Sequence, residues 1–232
     1  FTDMEVFKKN FVKRVESGGR LKMRVNYAQP ANWRPPIDDP MLCLYSQGGH
    51  YKPWHGSFGE NIRDGVRNHN GVDLLAKPGA KVYACFDSEV NTITTAGSAG
   101  KVLVLKIKDT STFLNIRNQD YKPMYKDKGE LIDVSFTFSG SVYLVFMHLS
   151  KNDYFKVGDN VGPNDVVGLT GITGVVNGTR NPHLHFEITN AGFIRGLERK
   201  CNPCIFFNIK TEQNMTEKDK VHQKQIKDML WK

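Results

Sequence analysis

Apolar and polar residues alternate in short runs along most of the chain, a pattern typical of half-buried β-strands. From residue 41 onward, glycines and Asn/Asp clusters separate these runs at short intervals, which favours antiparallel pairing. The clearest runs cover residues 81–86, 101–107, 134–138, 142–149, 166–170 and 183–188. The sequence therefore predicts a mainly β fold, with an antiparallel sheet or sandwich as its core.

Helical patterns occur near both ends of the chain. A capping box that starts at Thr2 and apolar residues at helical spacing predict a short helix over residues 2–17. Strict alternation then predicts a strand over residues 21–27. Near the other end, Thr216 is placed to cap a helix with a thin apolar stripe.

These patterns divide the chain into three predicted parts. Residues 1–40 hold the first helix, the strand and a proline-rich linker. Residues 41–207 form the β domain, and residues 208–232 form a helical tail. Within the β domain, the polar segment 108–140 interrupts the strand rhythm and is expected to be a long hairpin or a loop at the edge of a site.

The composition excludes several classes of protein. The chain has 232 residues and a net charge of +8. This charge fits a polyanionic partner such as nucleic acid or an anionic cell wall. It is equally typical of a basic surface that only keeps the protein soluble. The basic residues are scattered, and no zinc-finger, helix-turn-helix or RNA-binding signature occurs, so nucleic acid is not favoured. No run of about 18 apolar residues occurs, so no membrane span is predicted.

The four cysteines leave several interpretations open. Cys43 and Cys85 are isolated, whereas Cys201 and Cys204 form a lone CxxC pair. A structural zinc site would need a second pair at suitable spacing, and none is present. Structural thiols, a disulfide and redox chemistry remain as interpretations.

Histidine and carboxylate residues recur in contexts that suggest a shared site. His69 and Asp73 lie four residues apart with Gly71 between them, so they could bind one metal ion or form a hydrogen-bonded surface pair. His183 and His185 share one face of a predicted strand and lie about 6.6 Å apart along it.

A further histidine, His148, lies near the end of a predicted strand that is apolar on both faces. Taken alone, this pattern is typical of a core histidine that makes one hydrogen bond.

Together these residues suggest a catalytic metal site. His69, Asp73 and one of His183 and His185 would supply two nitrogen ligands and one oxygen ligand, leaving a fourth position open as in catalytic zinc sites. The remaining histidines could move protons. A mononuclear iron triad is the alternative, although its histidine and carboxylate usually lie two residues apart rather than four.

The motifs also resemble a known family. Residues 68–73 resemble the HxxxD motif, and residues 182–188 the HxH motif, of the lysostaphin/LytM-type peptidases (peptidase family M23). Other segments resemble further motifs of that family in family order: residues 57–59 (S-x-FG), 73–84 (D-x-x-x-x-x-GTPVYA), 146–150 (Y-x-HLS) and 158–174 (GD-x-V … IG-x-TG-x-TG). The resemblance covers about residues 41–207.

The resemblance implies an active-site groove with one zinc ion per chain, held by His69, Asp73 and His185. It implies that His148 and His183 are catalytic and that they handle the proton of the attacking water, steady the oxyanion and protonate the leaving amine. Which histidine takes which role stays open at this stage. The implied reaction is the hydrolysis of peptide cross-links in bacterial peptidoglycan.

The same resemblance sets the remaining expectations. The substrate partner would be a peptidoglycan peptide, and the protein would be a monomer in the periplasm, secreted or at the cell wall. Because Phe1 does not begin a signal peptide, we expect a mature enzyme or a piece of a longer antibacterial effector, and an effector would be met by an immunity protein. The alternative function is a catalytically inactive, LytM-like regulator that binds the wall and activates other hydrolases.

Overall fold

The computed structural model describes residues 33–45, 52–174 and 181–229, and the predicted helix 2–17 and strand 21–27 lie outside them. In chain order the described strands are β1 (Gly59–Arg63), β2 (Arg67–His69), β3 (Val72–Leu75), β4 (Lys81–Tyr83), β5 (Ser88–Ala96), β6 (Gly100–Ile107), β7 (Asp133–Val134), β8 (Tyr143–Leu149), β9 (Asn160–Val161), β10 (Val166–Leu169), β11 (His183–Thr189) and β12 (Lys200–Cys201). The α-helices are α1 (Thr110–Asn115) and α2 (Glu217–Met229). Short 3-10 helices cover Pro53–Gly56, Gly97–Ala99, Lys126–Lys128 and Pro203–Ile205.

One large sheet dominates the described residues. Seven strands follow the order β7-β12-β11-β8-β6-β5-β9, and β3 adds an eighth by pairing with β11. All of these strand pairs are antiparallel. Two small sheets, β1–β2 and β4–β10, complete the structure. The mainly β, antiparallel fold predicted from the sequence is confirmed.

Two predicted strands are shorter than the alternation suggests. β7 ends at Val134, and the next residue, Ser135, has a φ of 51°. β4 ends at Tyr83, and Cys85 has a φ of 71°. In contrast, β5 is nine residues long but has few large apolar side chains, so it was not among the clear runs.

The polar segment 108–140 contains α1 and β7 instead of a long hairpin. Asp109 caps α1 by accepting a hydrogen bond from the Thr112 backbone N–H at 3.0 Å. Phe113 of this helix is fully buried and stacks on Phe206 with the ring centroids 4.6 Å apart. The segment is therefore anchored to the core by an aromatic contact.

The centre of the core lies on one face of β11. Leu184, Phe186 and Ile188 are fully buried, as their alternation predicts. The alternate residues of the strand, which are polar, are buried as well. Since burying polar side chains is costly unless they are partnered, this second face must satisfy them internally.

Both ends of the described chain pack on the β domain. Trp33 stacks on Phe207 with the ring centroids 5.3 Å apart. In α2, the Gln223 amide donates to the Leu42 carbonyl at 2.6 Å, and its oxygen accepts from the Leu44 N–H at 3.1 Å. Neither described α-helix is long and apolar enough to cross a membrane. The predicted domain boundaries at residues 40 and 207 stay predictions.

All four cysteines lie among the described residues, where they are free and buried. Burial raises the pKa of the Cys43 thiol to about 12, and it raises the pKa of Cys85 and Cys201 well above the usual value. Thiols that stay protonated are poor nucleophiles and poor metal ligands. The structure therefore favours structural thiols over a disulfide or a redox pair.

Candidate metal centre and active site

The pairing of β3 with β11 places two of the predicted ligands side by side. In this register Asp73 lies directly opposite His185. Directly opposed residues of an antiparallel pair have Cβ atoms about 4.5–5.5 Å apart and project to the same face. The sheet itself thus brings this carboxylate to this imidazole.

The third predicted ligand, His69, ends β2 and reaches the same point across a tight turn. A Cβ atom on Gly71 would lie 2.3 Å from the Phe186 carbonyl oxygen of β11, so only glycine fits this approach. The close contact lets the turn after β2 lie on β11 and carries the His69 ring to its partners.

Three potential ligand atoms meet at this point. His69 Nε2 lies 3.1 Å from both Asp73 Oδ1 and His185 Nδ1, and those two atoms are 2.9 Å apart. In a tetrahedral zinc site with metal–ligand bonds of about 2.0–2.1 Å, neighbouring ligand atoms lie about 3.3 Å apart. The described residues could therefore hold a metal ion at this triangle, and all three side chains are buried.

Hydrogen bonds fix the outer nitrogen of each histidine in the triangle. His69 Nδ1 lies 2.9 Å from the Ser57 carbonyl oxygen, so this nitrogen carries the proton. His185 Nε2 lies 3.0 Å from Glu187 Oε1 and donates to it in the same way. When both rings are neutral, each inner nitrogen is left with a lone pair, which is the arrangement that metal-binding histidines require.

A buried lysine holds the carboxylate behind His185. Lys200 Nζ lies 2.8 Å from Glu187 Oε2 and donates to the Ile194 carbonyl at 2.9 Å, and its side chain has no exposed surface. Glu187 shares the polar face of β11 with His183 and His185, and no sequence pattern marks Lys200. The pair anchors one predicted ligand from behind.

We expect Lys200→Met to destabilise the fold strongly, because it leaves the Glu187 carboxylate buried without its cation. Breaking a buried ion pair from one side costs about 3–5 kcal/mol in the free energy of unfolding. Lys151→Met is a matched control, since Lys151 pairs with Asp153 at 3.2 Å on the surface and such pairs contribute about 1 kcal/mol or less. Urea denaturation of both variants checks the difference, and equal losses would contradict it.

The second oxygen of Asp73 has its own partners. The Tyr45 hydroxyl donates to Oδ2 at 2.6 Å, and the Arg63 guanidinium donates to the same atom. Burial alone would raise the pKa of Asp73, but the surrounding imidazoles and Arg63 hold it well below its usual range. The carboxylate is therefore ionised and able to bind a cation. Neither Tyr45 nor Arg63 was signalled by the sequence.

His148, one of the two predicted catalytic residues, lies beside the triangle, with its ring centroid 6.0 Å from that of His185. It has a φ of 63°, which is rare for a residue other than glycine and occurs often at functional sites. Its Nδ1 lies 3.0 Å from the Thr173 carbonyl oxygen, so Nε2 is left with a lone pair. His148 is buried and lines the same cavity as the triangle.

His183, the other predicted catalytic residue, lies beside both His148 and the triangle. Its ring centroid is 5.0 Å from that of His148, and its Nε2 lies 3.5 Å from Asp73 Oδ1. Its Nδ1 donates to the Asn181 carbonyl at 2.7 Å. His183 therefore also presents an unprotonated Nε2 toward the place where a metal and substrate would meet.

All five predicted site residues line one cavity of about 1020 Å³. The wall also includes Arg63, Arg67, Arg195 and Phe193. A second cavity of about 710 Å³ shares His55 with the first and is partly lined by Asp127, Lys128, Gly129 and Leu131 of the segment 108–140. No residue of that segment lines the first cavity.

The metal-free protein should have a lower free energy of unfolding in mild acid than at neutral pH. Burial lowers the pKa of His69 to about 4, that of His148 to about 3, and that of His183 below its usual value. The unfolded chain, with histidine pKa values near 6.5, then binds more protons, so the free energy of unfolding falls as pH drops from about 6.5 to 4.

His185 acts in the opposite direction. Burial would lower its pKa, but hydrogen bonds to Asp73 and Glu187 raise it, so its contribution to stability is lost as pH rises instead. Urea denaturation of the chelator-treated protein at pH 7 and pH 5 checks the net effect. The free energy of unfolding of His148→Gln should fall less between pH 7 and pH 5 than that of the wild-type chain. Equal stability of the wild-type chain at both pH values would contradict the prediction.

Comparisons with known proteins add a distant likeness. No protein-family model and no curated protein matches the sequence. A solved structure of LytU is 20% identical with a TM-score of 0.44, covering 68% of this chain and 83% of that chain. A mutant catalytic domain of the prophage-encoded M23 protein EnpA from Enterococcus faecalis is 19% identical with a TM-score of 0.41. It covers 64% of this chain and 85% of that chain.

The catalytic domain of the antimicrobial peptidase lysostaphin from Staphylococcus simulans is also similar. It is 21% identical with a TM-score of 0.41, covering 70% of this chain and 91% of that chain. Structures of M23 and lysostaphin-type peptidases, the family that the sequence motifs resemble, are thus among the similar folds. The likeness is distant, and the side chains of this chain carry the functional conclusion.

Proposed function

We propose that this chain is a zinc-dependent endopeptidase that hydrolyses peptide cross-links of bacterial peptidoglycan. The observation that carries the proposal is the buried triangle of His69 Nε2, Asp73 Oδ1 and His185 Nδ1, open to a cavity that two further histidines line. Two nitrogens and one oxygen with both imidazole tautomers fixed suit zinc.

His69, Asp73 and His185 would hold the metal. When bound, zinc supplies a Lewis acid that polarises a carbonyl oxygen and lowers the pKa of water to about 7. The chain's own task is then to orient the peptide and to move protons.

His148 and His183 are suited to proton transfer. Because burial lowers the pKa of both, each is neutral near pH 7 and can accept a proton at Nε2 from an attacking water. The imidazolium formed in this way can then donate that proton to the leaving amine. The fixed Nδ1–H bonds to the Thr173 and Asn181 carbonyls keep both rings in the tautomer that this task needs.

The substrate class is supported by the motif resemblance and by charge. A net charge of +8 favours approach to an anionic wall polymer. The predicted extracytoplasmic location and monomeric state, and an immunity partner if the chain is part of an effector, belong to the same proposal.

Digestion of purified walls tests the proposed activity. The full chain is incubated with glycine-bridged walls and with directly cross-linked D-alanyl–diaminopimelate walls, and new amino termini are identified by mass spectrometry. We expect new amines from at least one wall type, loss of cleavage with chelator and recovery with zinc.

Two results would contradict the proposal. Release of reducing sugars without new amino termini would indicate a different bond, and unchanged cleavage in excess chelator, with metal shown to be absent, would exclude the metal mechanism. Failure to cut either wall by a chain that binds zinc would support the regulator alternative. Recovery with iron but not zinc would support the iron triad.

A further inference from the structure

The two oxygens of Asp73 face entirely different partners. Oδ1 lies 3.1 Å from His69 Nε2 and 2.9 Å from His185 Nδ1. Oδ2 accepts the Tyr45 hydroxyl at 2.6 Å and the Arg63 guanidinium. One oxygen is thus directed at the candidate metal position, while both strong donors bind the other.

Both donors are themselves held in place. Arg63 Nε donates to the His55 carbonyl at 2.9 Å, which fixes the guanidinium at the end of β1. The same guanidinium lies 5.8 Å from the centre of the Tyr45 ring, and Tyr45 is 7% exposed. Arg63 is thus held by a second hydrogen bond, and Tyr45 is buried beside it.

A cation beside a metal ligand needs an explanation beyond charge balance. A carboxylate with no exposed surface requires compensation, and a bound divalent ion would supply it without Arg63. An arginine retained next to that ion adds repulsion. Its benefit would then be geometric, because a donor bound to Oδ2 keeps that oxygen away from the ion.

We propose that Arg63 and Tyr45 are positioning residues that occupy Oδ2 and restrict Asp73 to one donor oxygen. This inference depends on the proposed metal centre. A single-oxygen carboxylate keeps the protein's share of the coordination sphere at three atoms, whereas a carboxylate bound through both oxygens would take a further position. The position left open is the one that substrate and water need.

Cobalt substitution tests the proposal without an activity assay. The chelator-treated full chain is reloaded with Co²⁺, and its visible spectrum is compared with those of Tyr45→Phe, Arg63→Met and the double variant. Four-coordinate cobalt absorbs several-fold more strongly than five-coordinate cobalt, so we expect the double variant to lose most of that intensity. Tyr45→Phe, which removes one oxygen atom, should show a smaller loss in the same direction.

Arg67→Met is the matched control. Arg67 lies four residues further along the same hairpin and lines the same cavity, but it pairs with Asp64 instead of Asp73. Its cobalt spectrum should match that of the wild-type chain.

The outcomes separate this proposal from the metal centre itself. Identical spectra for the wild-type chain, Tyr45→Phe and Arg63→Met, each with one cobalt per chain, would overturn the positioning role and leave the metal centre intact. A folded wild-type chain that takes up no cobalt would contradict the centre. If the double variant does not fold, the two single variants still decide between these results.

Discussion

Asp73→Ala and His185→Ala should each lose bound zinc almost completely. Each variant removes one of three protein ligand atoms that lie about 3 Å apart, so only two remain. Since loss of a residue that merely supports a ligand lowers metal affinity about 10–100-fold, loss of a ligand should lower it by at least about 100-fold. Zinc titration against a competing chelator measures the change.

The control for this pair is Asp153→Ala. Asp153 is an exposed carboxylate that pairs with Lys151 and does not line the cavity, so zinc affinity should not change. Circular dichroism confirms that each variant is folded. If His185→Ala keeps zinc while His183→Ala loses it, the two histidines of the HxH motif have been assigned the wrong way round.

His148→Ala and His183→Ala should keep zinc and lose catalysis. All three predicted ligands survive in both variants, yet a proton-transfer group beside the triangle is removed. Loss of a general acid–base group lowers the rate of hydrolysis by at least about 10²-fold. Because the two imidazoles would act on one transition state, with ring centroids 5.0 Å apart, the double variant should be little slower than either single one.

Hydrolysis rates and zinc content, measured on the same preparations, check this prediction. His222→Ala is the control, since His222 is an exposed histidine of α2 outside the cavity lining. A fully active His148→Ala would mean that His148 is only a structural histidine despite its place in the wall.

The alternation of residues along a strand was enough to predict which side chains of β11 share the candidate site. Alternation along β11 places His183, His185 and Glu187 on one face, and the structure has all three buried there above a core of Leu184, Phe186 and Ile188. The spacing of His69 and Asp73 across Gly71 likewise indicated a shared site, and the structure brings both to His185.

The supporting residues could not be predicted, because tertiary contacts decide their roles. Tyr45 and Lys200 lie 28 and 127 residues from Asp73 in the chain, and no local pattern marks either residue. Arg63 resembles any other charged residue of a surface hairpin until β1 is seen to lie beside the Asp73 carboxylate. His148 lines the cavity and has a φ of 63°, and hydrophobic alternation reveals neither feature.

The most direct test of the metal centre is an anomalous difference map from crystals of the zinc-loaded chain, recorded at the zinc absorption edge. We predict one strong peak per chain at about 2.0–2.2 Å from His69 Nε2, Asp73 Oδ1 and His185 Nδ1, with His148 and His183 outside bonding distance. A peak bound by His183 or His148 instead, or no peak at this triangle in a chain that contains zinc, would contradict it.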